Sequence, residues 1–322
     1  MEESAEDRSP TGVAAARRGI DYSIAIRTLG RGGEKYRRLL QSIRGLEDEP
    51  REVIVVLPES CDPPEDRLGY ETFLHSPKGM VEQRLAGMAH CRSRYLLMLD
   101  DDVAFEGALV AKLYESLIAR GAAMAFPICE KLLFCNRTER VLAALTLSGV
   151  PRWSRDDHYV RFLRTGGFSY PTSIESLDLY SESAPGMCVF GDVEVCRRID
   201  LREDAWVQYP DYELREDAAL IYKGMLRGHR TVGRTDVAIE HLDNAVGDRS
   251  RRLQGLFALG CSQLSFWKRY IYDTKPNNVL NVLGITYWVA ATSFVWFVVS
   301  LKHRNFEELR TFLRGVARGV RG

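Results

Sequence analysis

Short apolar runs alternate with amphipathic helical stretches through the first third of this 322-residue chain. The runs are rich in Ile, Val and Leu, which is typical of strands buried on both faces. The predicted strands are 22–28, 52–57 and 95–99. The predicted helices are one with the apolar stripe Tyr36, Leu39, Leu40 and Ile43, one over 81–89, and one over 105–118 with Val110, Leu113, Leu117 and Ile118 facing inward. Strands separated by helices of this length imply right-handed crossovers, and therefore an α/β fold with a mostly parallel sheet.

The third apolar run leads directly into three consecutive aspartates, Asp100, Asp101 and Asp102. Side chains alternate along an extended chain, so Asp100 and Asp102 are expected to project together and Asp101 away from them. Open parallel sheets bind ligands beyond the carboxyl ends of their strands. Two carboxylates at such an end suit a hard divalent cation that also holds substrate phosphates. The alternative is an acidic turn whose aspartates cap the following helix.

A second acidic motif, Glu216 and Asp217, begins a helix predicted to run to residue 225. The positive end of that helix favours an ionised Asp217, which could then accept a proton from an acceptor hydroxyl, with Glu216 orienting the site. The alternative is that both acids only complement the helix dipole. His241 ends a short predicted strand that begins at residue 237, and its imidazole could complete the coordination of the cation.

Taken in order, these motifs resemble the family 2 inverting glycosyltransferases, over roughly residues 20–242. The matching stretches are Ser23 to Thr28, with Arg27 in the place of the usual proline; Gly79, Arg84 and Gly87; the aspartate-any-aspartate motif at Asp100 to Asp102; the pair Glu216 and Asp217; and His241. The resemblance implies a GT-A nucleotide-diphospho-sugar transferase fold and a nucleotide-sugar donor. It also implies a Mg²⁺ or Mn²⁺ cofactor and a single displacement that inverts the anomeric carbon of a transferred hexose-like sugar.

The resemblance further implies a role for each site residue. Asp217 is the catalytic base. The metal ligands are Asp100, Asp102 and His241. The nucleotide or its phosphates are contacted by Thr28, Glu59, Arg84, Asp100 and Asp101. Glu59 follows the second strand, where the family usually has an aspartate that holds the base. For Thr28 and Arg84, local support of the fold is the alternative.

The charge balance and the cysteine pattern indicate which partners the protein has and whether its compartment is reducing. Lys plus Arg (44) equals Asp plus Glu (44), so no whole-molecule field favours nucleic acid. The seven cysteines are scattered without the paired spacing of a zinc site, which indicates a reducing, cytoplasmic compartment. We predict a disordered leader over 1–20, a catalytic domain over 21–245 and a helical C-terminal extension over 246–322.

Within that extension, residues 279–301 form an uncharged apolar run about as long as a membrane-spanning helix. Basic residues flank the run on both sides, which argues against a single crossing. We expect an interfacial or re-entrant segment at the cytoplasmic face of the membrane, with residues 305–316 lying amphipathically on the same surface. A soluble packing helix or a homodimer contact is the alternative. A glycan or lipid-linked acceptor, as in surface polysaccharide or glycolipid assembly, fits this setting.

Two other functions fit parts of the sequence. A sugar nucleotidyltransferase would use a glycine-rich, basic phosphate loop after the first strand, and residues 27–35 are similar to one. That reading gives no role to Glu216, Asp217 and His241. A non-catalytic membrane-associated binding protein of the same fold would need no intact set of acids. The sequence therefore favours a glycosyltransferase over both.

Overall fold

The computed structural model describes residues 19–129, 137–153, 156–203, 214–242 and 249–321. The strands in this part of the chain are β1 (Tyr22–Arg27), β2 (Val53–Pro58), β3 (Thr72–Ser76), β4 (Tyr95–Asp100), β5 (Val103–Phe105), β6 (Met124–Pro127), β7 (Gly149–Arg152), β8 (Arg161–Phe162), β9 (Phe168–Pro171), β10 (Asp178–Tyr180), β11 (Cys188–Asp192), β12 (Thr231–Arg234) and β13 (Ile239–His241). The helices are α1 (Glu34–Arg44), α2 (Met80–His90), α3 (Leu109–Ala119), α4 (Arg137–Leu145), α5 (Val193–Ile199), α6 (Glu216–Leu226), α7 (Arg249–Phe266), α8 (Asn278–His303) and α9 (Glu307–Arg321), and a π-helical turn (Trp267–Tyr272) follows α7.

A mixed, mostly parallel sheet of eight strands forms the centre of the molecule, in the order β10-β12-β6-β11-β4-β1-β2-β3. Strands β4, β1, β2 and β3 are parallel neighbours, and β11 runs antiparallel between β4 and β6. This confirms the predicted α/β class. Because β4, β1 and β2 run in the same direction, their carboxyl ends lie at one edge of the sheet; Asp100 ends β4 at that edge, and Asp101 and Asp102 follow it.

The sheet is covered on both faces, as its continuous apolar strands predict. Ile24 and Ile26 of β1 face α1 and α3, whereas Ala25 faces the layer that contains α2, α5 and α6. The predicted stripe of α1 is confirmed, because its four members are all buried: Tyr36, Leu39, Leu40 and Ile43.

Three local expectations need correction. The predicted helix over 105–118 begins only at Leu109, because residues 103–105 pair with β13 as a strand. Ile118 is 55% exposed, since it lies about 100° around the helix from the buried Leu117. Strand β3 was not predicted, because this half-exposed edge strand is short and carries no continuous apolar run.

The C-terminal helices pack directly on the rest of the described chain. Phe266 of α7 and Tyr270 of the π-helical turn are buried in the same cluster as Tyr222 of α6. Helix α9 lies against α7 through glycines, and a Cβ atom added at Gly319 would lie 2.6 Å from the carbonyl oxygen of Cys261. In the described part of the chain, α8 is the helix whose length and composition would suffice to cross a membrane. The predicted leader (1–20) and the boundary at 245–246 fall almost wholly outside the described residues.

Candidate active site

Arg27, the last residue of β1, connects two carboxylates that lie far apart in the sequence. The register of β1 with β4 places Arg27 beside Asp100. Its guanidinium donates through Nε to Oδ1 of Asp100 and through Nη2 to Oδ2, the latter at 3.0 Å. The third nitrogen, Nη1, donates to Oε1 of Glu216 at 2.7 Å. Arg27 therefore ties the acidic end of β4 to the first turn of α6.

A second arginine shares Glu216. Nη2 of Arg84 lies 3.4 Å from the same Oε1 and donates to the carbonyl oxygen of Gly186 at 3.2 Å. Burial alone would raise the pKa of Glu216, but Arg27 and Arg84 outweigh it, so the pKa of Glu216 is lowered. Burial likewise acts to lower the pKa of Arg27, and Asp100 and Glu216 outweigh it and raise that pKa. Glu216 is therefore an anion held between two cations.

Asp217, the expected base, is held by two backbone amides. The N–H of Gly186 donates to Oδ2 at 2.9 Å, and the N–H of Ala218 donates to Oδ1 at 2.7 Å. Burial, and next the charge of Glu216, raise the pKa of Asp217 to about 6. The helix dipole is therefore not the dominant influence on this carboxyl. Asp217 is mostly ionised above pH 6, and its pKa is close enough to neutral pH for the carboxylate to accept a proton efficiently.

The three aspartates at the end of β4 have three different partners. The strand ends at Asp100, and Asp101 and Asp102 form a turn before β5, so the alternation expected for an extended chain does not continue to Asp102. Asp100 pairs with Arg27. Oγ1 of Thr28 donates to Oδ2 of Asp101 at 2.5 Å, and burial raises the pKa of Asp101.

Asp102 lies beside His241 because β13 pairs with β5. His241 stands opposite Val103, and the N–H of Leu242 donates to the carbonyl oxygen of Asp102 at 2.7 Å. Nε2 of His241 is 3.3 Å from Oδ1 of Asp102. An imidazole nitrogen and a carboxylate oxygen are donors that suit Mn²⁺, and a carboxylate suits Mg²⁺.

Asp102 and His241 are two possible ligands for a metal ion. Among the described residues, no three His, Cys, Asp or Glu side chains are grouped so that they could hold a metal ion. Mg²⁺ is commonly held by one or two carboxylates, with water and substrate phosphates as its other ligands. Asp102 and His241 fit such a site, in which a diphosphate would complete the coordination. In this conformation Asp100 is engaged by Arg27 instead.

The residues expected to contact the nucleotide differ in exposure. Thr28 is buried, and its Oγ1 accepts from the N–H of Gly30 while it donates to Asp101. The side chain of Arg84 is only 2% exposed. Both positions agree with the alternative of fold support. Glu59 is exposed directly after β2, at the same edge of the sheet as Asp100.

Sequence reasoning missed two residues of this region. The signal for Arg27 was its replacement of the usual proline, a departure to which no role was assigned. Arg215, directly before Glu216, has a φ of 73° in the left-handed region. Its guanidinium donates to the carbonyl oxygen of Gly166 at 2.8 Å and to Oε1 of Gln263 on α7. Burial lowers the pKa of Arg215 to about 10. No pattern in the sequence indicated this contact with α7.

The sequence matches no protein-family model and no curated protein. The fold, in contrast, is similar to solved glycosyltransferase structures. A mannosyltransferase, PcManGT from Pyrobaculum calidifontis, solved in complex with GDP-Man and Mn²⁺, has a TM-score of 0.53 and 12% identity, and the match covers 97% of this chain and 91% of that one. GalNAc-T7, solved with UDP, GalNAc and Mn²⁺, has a TM-score of 0.52 and 12% identity, over 89% of this chain but only 58% of that one. These likenesses confirm the predicted GT-A fold.

Proposed function

We propose that this protein is a glycosyltransferase that transfers a sugar from a nucleotide-sugar donor to an acceptor hydroxyl. The observation that carries the proposal is the grouping, at one edge of a GT-A sheet, of two side chains suited to a metal ion (Asp102 and His241) and of the half-buried carboxyl of Asp217, whose pKa is about 6. Arg27 links the two parts, because it contacts both Asp100 and Glu216. The two solved structures described above, which hold GDP-Man or UDP with Mn²⁺, lend support through their fold.

In the proposed reaction, Asp217 accepts the proton of the acceptor hydroxyl as its oxygen bonds to the anomeric carbon. The bond between that carbon and the diphosphate breaks on the opposite side, so the configuration inverts, as in family 2. The amides of Gly186 and Ala218 hold the carboxylate of Asp217 in place. Asp102 and His241 would hold a divalent cation, which would supply positive charge to the departing diphosphate. The product is a nucleoside diphosphate.

The remaining assignments follow the same proposal. Glu59, which is exposed directly after β2, would contact the nucleotide base. Asp101, held by Thr28, and Arg84, held by Glu216, keep the walls of the donor site in place. Acceptor selection belongs to the loops around the cleft, and a glycan or lipid-linked acceptor remains our proposal.

The test is turnover of purified full chain with a panel of GDP- and UDP-sugars, with and without Mn²⁺, read as nucleoside diphosphate release. The substitution Asp217→Asn should lower turnover by about 10² to 10⁴-fold while Mn²⁺-dependent nucleotide binding survives. Asp273→Asn, at an exposed position after the π-helical turn, is the matched control and should have no effect. Unchanged turnover in Asp217→Asn would remove Asp217 from its role.

A second assay, with a nucleoside triphosphate and a sugar phosphate as substrates, tests for a sugar nucleotidyltransferase, which one observation favours. Gly30, Gly32 and Gly33 all have positive φ angles directly after β1, as a phosphate-binding loop requires. Pyrophosphate release from a nucleoside triphosphate and a sugar phosphate would support that enzyme and contradict ours. Nucleotide binding with no turnover of either kind would favour a non-catalytic binding protein.

A further inference from the structure

Helix α8 has the reverse of the polarity that a helix on a water-soluble protein shows. Its protein-facing side includes the buried residues Asn281, Thr292 and Ser300. Between residues 279 and 301, the exposed residues recur at helical spacing and are apolar except for Thr286 and the hydroxyl of Tyr287. The members of this outward stripe are Val279, Leu283, Thr286, Ala290, Phe294, Phe297 and Leu301. An apolar outer side and a more polar inner side are expected where the surroundings of a helix are lipid rather than water.

The stripe is long and strongly exposed. It extends over about 33 Å of helix, at 1.5 Å per residue. Val279 is 69% exposed, Phe294 66% and Leu283 59%. A continuous exposed apolar surface of this kind marks a site of contact with a membrane or another protein.

Helix α4 enlarges the same surface. None of the side chains of α4 is buried, and its apolar residues Val141, Leu142 and Leu145 share one side of the helix. Oη of Tyr287, on the exposed side of α8, donates to the carbonyl oxygen of Leu145 at 2.7 Å. The apolar residues of α4 therefore adjoin the outward stripe of α8.

Positive charge borders this apolar surface. Lys302, His303 and Arg304 are exposed at the end of α8. On α9, the exposed Arg310, Arg314 and Arg321 lie beside a second apolar row that contains Leu313 and Val320. Basic residues next to exposed apolar side chains are the arrangement that binds anionic lipid headgroups.

Contacts with the protein cover the inner side of α8 along much of its length. Oδ1 of Asn281 accepts from Arg164 at 2.6 Å, and Nε1 of Trp288 donates to Ser148 at 2.9 Å. Helix α9 returns along α8, with the rings of Trp288 and Phe312 5.6 Å apart. A crossing helix needs about 20 residues surrounded by lipid. Here only one side of the helix is available to lipid.

We infer that the outward stripe of α8, together with the apolar side of α4, docks this protein on an anionic lipid bilayer, with α8 lying in the plane of the membrane surface. This inference does not depend on the proposed reaction. It assigns the apolar residues of α8 and α4 to the lipid and the arginines of α9 to the headgroups. A second copy of the chain could also cover this apolar surface, and the experiment below distinguishes such a dimer from lipid binding.

The experiment is flotation of the full chain with vesicles of phosphatidylcholine, alone or mixed with phosphatidylglycerol. Binding is expected to the mixed vesicles and to weaken with salt. Phe294→Glu on α8 and Leu145→Glu on α4 should each weaken vesicle binding about tenfold. Arg314→Glu should weaken binding to the mixed vesicles and leave any binding to pure phosphatidylcholine unchanged. The matched control is Ile118→Glu on α3, an equally exposed apolar residue outside this surface, which should bind like the parent. Thermal melts check that each variant is folded.

Two further measurements complete the test. Sedimentation in the absence of vesicles should show no change of mass between the parent and Phe294→Glu; a dimer that this substitution dissociates, with vesicle binding intact, would overturn the inference. Depth-reporting labels at positions 283 and 301 should lie equally deep in one leaflet. Labels in opposite leaflets would show a crossing helix and would contradict the in-plane arrangement. Equal binding of parent and Phe294→Glu to mixed vesicles would also overturn it.

Discussion

Glu216 is the residue on which the charge balance of the candidate site depends. It is almost fully buried, and its carboxylate contacts the guanidinium groups of Arg27 and Arg84. Arg27 has Asp100 as a second partner, whereas Arg84 otherwise contacts the neutral Gly186 carbonyl and the sulfur of Met98. Removal of the Glu216 charge therefore leaves Arg84 without its one paired carboxylate, and the nearest remaining acids are Asp100, which pairs with Arg27, and Asp217.

We expect Glu216→Gln to destabilise the fold by about 3–5 kcal/mol, because it leaves a buried charge uncompensated. The free energy of unfolding is measured by urea denaturation. The matched control, Glu194→Gln, breaks an exposed pair with Arg197 and should cost less than about 0.5 kcal/mol. A loss in Glu216→Gln as small as in the control would show that Arg27 and Arg84 do not need this carboxylate.

The raised pKa of Asp217 predicts a pH dependence of turnover. The base must be ionised, so kcat/KM should be constant above pH 6 and fall about tenfold per pH unit below it, since the group titrates with a pKa of about 6. Glu216, which raises this pKa, and Arg27, Arg84 and Arg215, which are close to it, face the same carboxyl. A pH–rate profile measures this fall of kcat/KM on the acid side. An acid limb near pH 4 would contradict the buried environment described here.

The same pKa has a consequence for stability. The folded pKa of about 6 lies above the unfolded value of 3.8, so the folded state binds the proton more tightly. The resulting stabilisation is complete below pH 4 and is lost as the pH rises through 6. Asp217→Asn, which carries no charge, should therefore melt at an equal or higher temperature than the parent at pH 7.5, and the difference should shrink toward pH 4. Thermal melts across this range measure it.

The acidic side chains of the site, and His241 beside Asp102, could be predicted from the sequence, but the arginine partners of the acids could not. Strand periodicity and local acidic motifs pointed to Asp100, Asp102 and Asp217. The contact between Arg27 and Glu216, in contrast, joins residues 189 positions apart. Local patterns carry no information about such a pair, because it depends on how β1 and α6 meet in the fold.

At the scale of elements, local periodicity predicted α1, α2 and α6 well, although among these three only α1 has a wholly apolar buried side. It failed at β5, where three residues pair with β13 from a distant part of the chain. It also gave no sign that β11 runs antiparallel between two other strands. The direction of a strand depends on the path of the chain between strands, which the apolar run itself does not contain.

The packing of α7 on α9 predicts opposite effects for two glycines. A Cβ atom at Gly315 would overlap the carbonyl of Phe257, so Gly315→Ala should destabilise the fold by about 1–3 kcal/mol. Gly255, also in this helix pair, has open space around its Cβ position. Gly255→Ala should stabilise by up to about 1 kcal/mol through helix propensity. Melting temperatures measure both, and equal effects would contradict the close approach of the two backbones.

At the scale of the whole molecule, the C-terminal helices pack on the α/β part that carries the candidate site. Nε2 of Gln263 on α7 donates to the carbonyl oxygen of Thr165 at 2.5 Å, and its Oε1 accepts from Arg215, directly before the candidate base helix. Trp288 and Asn281 of α8 contact the region around β7 and β8. Hydrogen bonds and a common buried cluster thus connect the two parts of the chain on either side of the boundary predicted at residues 245–246.

We therefore expect one cooperative unfolding transition in calorimetry rather than two. The van't Hoff and calorimetric enthalpies should agree, because breaking the contacts of α7 exposes the aromatic cluster around Phe266 and Tyr222. Gln263→Leu should lower the melting temperature of this single transition. Two separate transitions would show that the C-terminal helices unfold independently.

The hydrogen bonds on the inner side of α8 have one last consequence. A catalytic domain on a flexible tether samples many heights above a bilayer, and its effective reach varies with the length of the tether. In the described part of the chain, Asn281 and Trp288 instead attach α8 directly to the α/β part through hydrogen bonds. Once the protein is bound to a bilayer, the cleft would lie at a constant height above the lipid headgroups. Only acceptors whose hydroxyl lies at that height would then reach it.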